Sequence, residues 1–390
     1  MNSLAASPNS PPVPPGNPAK IARLEQRHGS IVDRQQRLGR RFSPWVSRTL
    51  DQALDAAAQE YPDRPFVVTD DAVWTYRDIK QWSERIAAGL RDAGIKPGDQ
   101  VGILMANYAE FVAIKFGIAR AGAVAVPINF LNRREELGYV LKQSDVVLLF
   151  TMDRFRDLDY LQFLDELAPG WATMGAAPAF PKLRKIVVFP TGEVSSRAGV
   201  SAFADFGANA AEWMGCEHPG PQTNSDIIYT SGTTGSPKGV MLTHDMMLRT
   251  AFGSTFGRAF EDGRRILFSL PMYHVYGYVE GLLACMFVGG SIVPQLKFDA
   301  AQTLEAIERH RATDVLLIPT MTLSLLDELR KNSYDLTSLH AVISSGGRSP
   351  AYIWEQIFDL LQPAELTMGY GMTEVTASST VTRPDDPIER

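Results

Sequence analysis

The chain has 390 residues, of which 45% are hydrophobic and 21% charged, a composition typical of globular proteins with large cores. Its net charge of −6 argues against nucleic acid as a main partner, because phosphate backbones require a basic face. Two cysteines, Cys216 and Cys285, exclude a disulfide framework and favour a reducing cytoplasm. No apolar run reaches the ~20 residues that span a bilayer. These features predict a cytoplasmic protein without a transmembrane segment.

The first fifty residues divide into a tail and a basic segment. Residues 1–20 are rich in proline, serine, asparagine and alanine, and predict a disordered tail. The cluster at 34–41 contains four arginines. It predicts a solvated helix face, with contact to a membrane surface or a partner as the alternative.

Strand and helix patterns then alternate along the chain. Apolar spacing predicts a helix over 49–60, and Thr75 with Asp78 forms a capping box for the next helix. Alternation of strands and helices through 101–150 predicts a parallel sheet covered on both faces. Asn107 follows a strand, where ligands bind in such sheets, and a turn residue is an equal alternative.

A less regular region at 152–222 ends in a Pro-Gly-Pro sequence that marks a boundary. The sequence thus predicts two α/β subdomains, 21–222 and 223–390. In the second, further strands are predicted at 266–269, 291–293, 314–318 and 341–344. Helices are predicted at 243–253, 278–287, 300–310, 321–331 and 350–361.

The second subdomain opens with a phosphate-binding pattern at 229–239. A strand leads into a loop of glycines and hydroxyls, which present backbone N–H groups and donors to an anion. Lys238 adds a mobile positive charge. The loop is not a Walker A motif, because Lys238 lies between Pro237 and Gly239. The expected phosphate contacts are Thr230, Ser231, Gly232, Thr233, Thr234, Gly235 and Lys238.

Three further segments follow predicted strands, at the edge where parallel sheets bind ligands. The first, 271–277, has a histidine among aromatic residues. The alternative to a functional role is a histidine that is simply packed in the core. The second, 344–350, contains paired glycines, which let a flat group lie against the backbone. The third, 368–376, contains a Thr-Glu pair, and Mg²⁺ binds through such carboxylates and substrate phosphates.

These four segments, in this order, closely resemble those of the adenylate-forming enzymes, a superfamily of acyl- and aryl-CoA synthetases, luciferases and peptide-synthetase adenylation domains. The resemblance runs from about residue 49 onward. It implies an N-terminal domain of two stacked, doubly wound, mostly parallel sheets with helices on both faces. It also implies that ATP, Mg²⁺ and coenzyme A are the cofactors and co-substrates.

The resemblance assigns roles to individual residues. Lys238, Thr373 and Glu374 would act in catalysis, and Glu374 with Thr230 would hold Mg²⁺. The adenosine and α-phosphate contacts would be Ser345, Gly346, Gly347, Tyr370 and Thr373. The acid pocket would comprise Tyr273, His274, Tyr276, Gly277, Tyr278 and Gly371. Arg348 departs from the usual small residue, and its role stays open.

The implied reaction joins a carboxylic acid to AMP and then to coenzyme A. Peptide-synthetase domains usually carry an aspartate for the substrate ammonium, and 272–278 has none. A fatty, alicyclic or aryl acid is therefore expected.

Two alternatives stay open: loading of a carrier protein, and a nucleotide- or acyl-binding protein that performs no chemistry. The family's ribose aspartate, hinge and lysine domain have no counterpart before Arg390. The sequence is therefore expected to be the large N-terminal portion of an enzyme, impaired when isolated. A homodimer is also left open.

Overall fold

The computed structural model describes residues 16–174, 179–192, 200–216, 219–230, 236–347 and 349–386. Its helices are α1 (Pro18–His28), α2 (Ile31–Arg41), α3 (Leu50–Glu60), α4 (Tyr76–Asp92), α5 (Ala109–Arg120), α6 (Arg134–Gln143), α7 (Tyr160–Leu167), α8 (Trp171–Met174), α9 (His244–Gly257), α10 (Ala284–Met286), α11 (Ala300–His310), α12 (Pro319–Leu329) and α13 (Ala351–Gln356). Two π-helices, π1 (Tyr276–Leu283) and π2 (Ile357–Leu361), and two 3₁₀ turns, Phe203–Asp205 and Thr373–Val375, complete the helical set of the described residues.

The strands of the same ranges are β1 (Pro65–Val68), β2 (Val73–Thr75), β3 (Gln100–Leu104), β4 (Val124–Pro127), β5 (Leu148–Met152), β6 (Arg154–Phe155), β7 (Leu158–Asp159), β8 (Lys185–Phe189), β9 (Ser201–Ala202), β10 (Asn224–Thr230), β11 (Lys238–Thr243), β12 (Arg265–Phe268), β13 (Ser291–Pro294), β14 (Asp314–Leu317), β15 (Ala341–Ser344), β16 (Glu365–Thr367), β17 (Gly369–Met372) and β18 (Ala377–Val381).

Two large sheets organise the fold. The first has the order β16-β15-β14-β12-β13-β1-β2, and the second has the order β11-β10-β4-β3-β5-β8-β9. Pairing is parallel in both sheets except at the edge pairs β1–β2 and β10–β11. The predicted fold class, mostly parallel sheets covered by helices, is confirmed.

Strands cross between the two halves of the sequence. The early strands β1 and β2 complete the first sheet, while the later strands β10 and β11 complete the second. Each sheet therefore contains strands from both sides of residue 222. The proposed division at 222 stays a prediction about domains, and it does not coincide with a division between sheets.

Both faces of the first sheet are covered, and its residues alternate between two apolar clusters. Ile266, Phe268 and Ile292 face the large central cluster, whereas Leu267 and Val293 face a smaller one beneath α11, α12 and α13. This alternation follows from the two-residue period of a β-strand. Burial of both faces explains why these strands are almost continuously apolar.

Helix α5 lies between the sheets, and all of its residues except Glu110 are buried. It packs on β3 and β4 of the second sheet and on α3 and α4. Its Lys115 ammonium lies 5.1 Å from the ring centre of Tyr278 on π1, which packs against strands of the first sheet. Stacking of the two sheets is thus mediated by α5 and π1.

The first helix begins just before the predicted end of the N-terminal tail. The side chain of Asn17 caps α1, which begins at Pro18, inside the predicted range 1–20; residues 1–15 lie outside the described ranges. In the basic cluster, Arg34 is only 1% exposed, so the predicted solvated face holds for Arg37 and Arg40 but not for Arg34. Among the described residues, no helix combines the length and apolar character needed to cross a membrane.

Local signals placed several helix starts correctly. The capping box of Thr75 and Asp78 is present, with hydrogen bonds of 2.8 and 3.2 Å between backbone and side chains. Thr243 caps α9, as expected. The helix predicted over 278–287 is different: it starts at Tyr276 and is π-helical through Leu283. π-Turns widen a helix and recur at functional sites.

A buried ion network, which we call the amino-edge network, lies where strands of the first sheet begin. Arg264 contacts Glu261 at 2.7 Å, Glu365 at 2.9 Å and Asp314 at 3.2 Å. Arg34, Arg258, Glu280 and His340 extend it. Apart from His340, every side chain in it is at most 5% exposed. The network joins α2 to the strands of the first sheet.

Candidate active site at the carboxyl edge of the first sheet

Three of the predicted segments meet at the carbonyl oxygen of Leu317, the last residue of β14. The Tyr276 hydroxyl donates to this oxygen at 2.9 Å, and the Ser345 backbone N–H donates to it at 3.0 Å. The Ser345 hydroxyl accepts a 2.6 Å hydrogen bond from the Gly369 N–H. Segments 271–277 and 344–350 are therefore linked through the Leu317 carbonyl, and 344–350 is bonded directly to 368–376.

The acid-pocket segment begins after β12 and continues into π1. Tyr276 is 9% exposed, and the Tyr273 ring lies edge-on to Phe130 at 5.4 Å between centres. Desolvation raises the pKa of Tyr273 to about 12, and it also raises the pKa values of Tyr276 and Tyr278. A phenol is neutral at pH 7 even at its ordinary pKa of about 10, and these upward shifts keep it so, which gives this region an aromatic and uncharged lining.

His274 is exposed at the start of this segment. Its Nδ1 accepts a 3.2 Å hydrogen bond from the backbone N–H of Tyr276. A ring nitrogen that already accepts a hydrogen bond has lost that lone pair as a base. This contact favours a positioning or wall role over proton transfer from that nitrogen.

Two residues assigned to the pocket have a different local environment from the one expected. A Cβ added to Gly277 would lie 2.6 Å from the carbonyl oxygen of Leu270, so backbone rather than free space adjoins this glycine. On that side, Gly277 offers no open space to an acyl chain. Tyr278 is fully buried beside Lys115, and its hydroxyl has no hydrogen-bond partner within the described part of the chain.

The metal segment forms a hairpin of β17 and β18 joined by the 3₁₀ turn Thr373–Val375. Tyr370 is 67% exposed and Glu374 is exposed, whereas Thr373 is only 4% exposed. A Cβ on Gly371 would lie 1.6 Å from the Ala377 carbonyl oxygen, so this position requires glycine. The hairpin presents Tyr370 and Glu374 to solvent beside the exposed Gly346 and Gly347; Arg348 lies outside the described residues.

The phosphate loop joins β10 to β11, and its ends are paired: Thr230 lies opposite Lys238 across the two antiparallel strands. Ser231, Gly232, Thr233, Thr234 and Gly235 lie outside the described residues. Tyr229 donates to Gln143 through its hydroxyl, and Tyr139 donates to the Pro237 carbonyl at 3.1 Å. Both ends of the loop are thereby attached to α6, while Lys238 itself is exposed.

The residues assigned to Mg²⁺ fit its coordination chemistry. Glu374 is exposed and has no ion-pair partner in the described ranges. Mg²⁺ binds proteins through one or two carboxylates and completes its shell with water and substrate phosphates. An exposed carboxylate without an ion-pair partner among the described residues meets the first part of this requirement. No cluster of three metal-binding side chains occurs within the described residues, and an ion shared with ATP does not need one.

Asn107 is a positioning residue for the acid segment. Its side-chain amide donates to the carbonyls of Leu270 at 3.0 Å and Gln295 at 3.1 Å, and its oxygen accepts from the Met272 N–H at 2.8 Å. Asn107 follows β3 of the second sheet, and its three partners follow strands of the first. The side chain thus joins the two sheets directly behind the acid segment.

A buried ion pair between α5 and β10, the strand that leads into the phosphate loop, was not predicted from the sequence. Lys115 Nζ lies 2.8 Å from Asp226 Oδ1, and both side chains are fully buried. Asp226 lies on β10, four residues before Thr230, and also accepts from the Ser225 hydroxyl at 2.7 Å. The sequence did carry a signal for this pair: each residue is a charge within an apolar segment. Such a charge is expected to be buried and to need a partner.

The fold and the arrangement of these segments match a known protein family. The AMP-binding enzyme family model matches residues 54–390, and the chain belongs to this family. The solved structure of the anthranilate CoA ligase AuaEII with anthranoyl-AMP has a TM-score of 0.78 at 24% identity, covering 87% of this chain and 63% of that one. This likeness establishes the fold as that of adenylate-forming enzymes.

Curated relatives include CoA ligases. One, from Mycobacterium tuberculosis, is named for a propanoyl group that carries a dioxo-octahydro-indenyl ring; it is 31% identical over 87% of this chain and 65% of its own length. The mitochondrial medium-chain acyl-CoA ligase ACSF2 of Danio rerio is 29% identical over 89% of this chain and 59% of its own. The chain thus spans less than two thirds of the length of these relatives.

Proposed function

We propose that this chain carries the adenylation site of an AMP-forming acyl-CoA synthetase. The observation that carries the proposal is that Tyr276 and Ser345 both bond to the Leu317 carbonyl and Gly369 bonds to Ser345, at the edge where a parallel sheet binds ligands. Family membership and the CoA ligases among its relatives support the same conclusion.

In the proposed first step, the substrate carboxylate attacks the α-phosphorus of ATP, and pyrophosphate leaves. The carboxylate is already ionised at pH 7, so the site needs no general base. It must align the reactants and offset phosphate charge. Lys238 and the loop between β10 and β11 would hold the β- and γ-phosphates, and Tyr370 would stack on adenine above Gly346 and Gly347.

Glu374, with Thr230, would hold the Mg²⁺ ion. When bound, the ion supplies charge neutralisation at the transferring phosphate. Thr373 would contact the α-phosphate. In the second proposed step, the thiol of coenzyme A attacks the acyl carbonyl and AMP leaves, which yields the thioester.

The acid is proposed to have an uncharged fatty, alicyclic or aryl tail. The neutral phenols of Tyr273 and Tyr276 support this class, as does the absence of a carboxylate in 272–278. The names of the two curated relatives, one alicyclic and one medium-chain, fall within it.

The test is a panel of carboxylic acids given to the full-length gene product with ATP, Mg²⁺ and coenzyme A, with AMP and thioester measured. Formation of an acyl-CoA from an apolar acid is the expected result. Transfer of the acyl group to a carrier protein but not to coenzyme A would contradict the proposal that coenzyme A is the acceptor. Pyrophosphate exchange that is stronger with alanine or phenylalanine than with any simple acid would contradict the substrate class.

Two narrower proposals accompany it. The 390-residue chain alone is expected to bind ATP weakly and to adenylate poorly, and substantial adenylate formed by the purified chain would disprove this. A cytoplasmic location is proposed from the free thiols of Cys216 and Cys285. A mitochondrial location, as in the name of the ACSF2 relative, is the alternative, and fluorescence of a tagged full-length protein distinguishes the two.

A further inference from the structure

A second cavity lies away from the carboxyl edge, between the segment that follows α2 and the helices α3, α9 and α10. Its volume is about 240 Å³. Its apolar lining comes from Phe42, Trp45, Ala53, Leu248 and Phe287. Phe287 follows the helical segment that begins at Tyr276. Roughly 15 Å of helix therefore separates the cavity from the proposed acid pocket.

The floor of this cavity is a rigid aromatic cluster. Phe42 and Phe287 are edge-on at 5.2 Å, and the Trp45 and Phe287 rings lie 6.3 Å apart. The indole N–H of Trp45 donates to Asp245 at 2.8 Å, and the Arg249 guanidinium lies 5.2 Å from the Trp45 ring centre. An aromatic surface fixed in this way binds an apolar group at little cost in side-chain entropy.

The rim of the cavity carries two arginines and one glutamate. Arg41 is already neutralised, because it pairs with Glu60 and donates to the Tyr61 hydroxyl at 2.6 Å. Arg48 is exposed, and none of the described residues forms an ion pair with it. Within the part of the chain that the structure describes, one cation without an ion-pair partner therefore lies beside an apolar cavity.

The N-terminal sequence that leads to the cavity is basic overall. Residues 1–48 contain eight lysines and arginines but only two acidic residues, a net charge of +6. The whole chain has a net charge of −6, so the remaining residues carry −12. Arg34 and Arg41 are paired with Glu365 and Glu60, so the exposed arginines that remain are those that attract anions to the N-terminal helices.

We propose that this cavity binds the apolar chain of a free acyl carboxylate whose head group pairs with Arg48, at a site separate from the adenylation site. Drug-sized ligands occupy pockets of about 300 to 1,000 Å³, so a cavity of this volume suits a short or medium acyl chain rather than a nucleotide. A single cation, unpaired among the described residues, suits one carboxylate rather than a polyphosphate.

The experiment is photoaffinity labelling of the 390-residue chain with a medium-chain fatty acid that carries a terminal diazirine, followed by peptide mapping. Labelling within 42–57 or at 286–287 is expected, with competition by decanoate and weaker competition by the uncharged decanol. Labelling confined to 273–278 would overturn the proposal while leaving the proposed function intact. The experiment requires neither ATP nor turnover, so failure of the proposed function would not affect its outcome.

Three variants test the geometry. Arg48→Glu should lower labelling at 42–57 about tenfold, and Ala56→Leu, which fills the cavity from α3, should lower it comparably. Arg23→Glu makes the same charge change on α1, outside the cavity, and should have little effect. Equal losses in both arginine variants, with none in Ala56→Leu, would indicate adsorption to a charged surface and overturn the proposal. Sedimentation with phosphatidylglycerol vesicles would then identify a membrane surface as the partner.

Discussion

The two edges of the first sheet use charge in opposite ways. At the amino edge, Arg264, Asp314 and Glu365 are buried and paired with one another. At the carboxyl edge, Glu374 is exposed and unpaired within the described residues, as is Lys238 at the edge of the second sheet. Charges whose partners lie within the protein hold the fold together, whereas charges left in solvent are available to a ligand. Substitutions at the two edges should therefore separate stability from activity.

Arg264→Met should have the largest effect, and it should act on stability. It would leave Glu261, Asp314 and Glu365 without their shared buried partner, and breaking a buried pair costs about 3–5 kcal/mol. Urea unfolding measures this loss. Arg311→Met is the control, because its pair with Asp335 is exposed and should contribute at most about 1 kcal/mol. Equal losses of unfolding free energy in the two variants would contradict the stabilising role of the amino-edge network.

Glu374→Gln should have the next largest effect, and it should act on activity. In the full-length enzyme, Mg²⁺-dependent turnover should fall about 100-fold, equivalent to about 2.7 kcal/mol. The unfolding free energy should stay unchanged, because the side chain is exposed. The exposed Glu212→Gln serves as the control. Wild-type turnover in the Glu374 variant would contradict the metal assignment.

Lys238→Ala should raise the KM for ATP in the same assay, with little change in the unfolding free energy. Lys238 is exposed, so its replacement leaves no buried charge behind. If the KM for ATP did not change, the proposed phosphate contact of Lys238 would be incorrect.

Gly371→Ala should affect both properties, because the new Cβ collides with the Ala377 carbonyl and separates β17 from β18. We expect a stability loss of about 1–3 kcal/mol, together with lower activity as Tyr370 and Glu374 move. Gly253→Ala in α9 is the matched control, since no atom lies within 4 Å of the position that its new Cβ would take. It should be neutral or slightly stabilising. Equal behaviour of the two variants would show that the hairpin tolerates a side chain there.

The smallest effect is on the pH dependence of stability, and it concerns Asp245, which lies at neither edge of the first sheet. Burial tends to raise the pKa of Asp245, but hydrogen bonds from Arg249, Trp45 and Gln222 outweigh it and lower the pKa to about 2. Because the pKa of Asp245 is lower in the folded state, its ionised carboxylate contributes to the free energy of unfolding. This contribution is complete above about pH 4 and is lost as the pH falls through 2. Asp245→Asn should therefore lose less stability than the wild type between pH 4 and pH 2, as measured by urea midpoints. An identical pH profile would contradict the assignment.

The sequence by itself determined the local features of this protein. The capping box at Thr75 and Asp78 and the cap at Thr243 involve residues only three positions apart, so short-range chemistry fixes them. The apolar patterns predicted the alternating elements and the mostly parallel sheets. The order of the four segments also predicted the family, since each segment is continuous in the chain.

Only the tertiary structure decided how distant parts meet. Lys115 and Asp226 are 111 positions apart, and neither apolar pattern specifies the partner of its buried charge. The exchange of strands across residue 222, the anchoring by Asn107 and the packing of Gly277 against Leu270 likewise depend on contacts between distant segments. Periodicity specifies which face of an element is buried, but the element that covers this face is selected by packing over the whole chain.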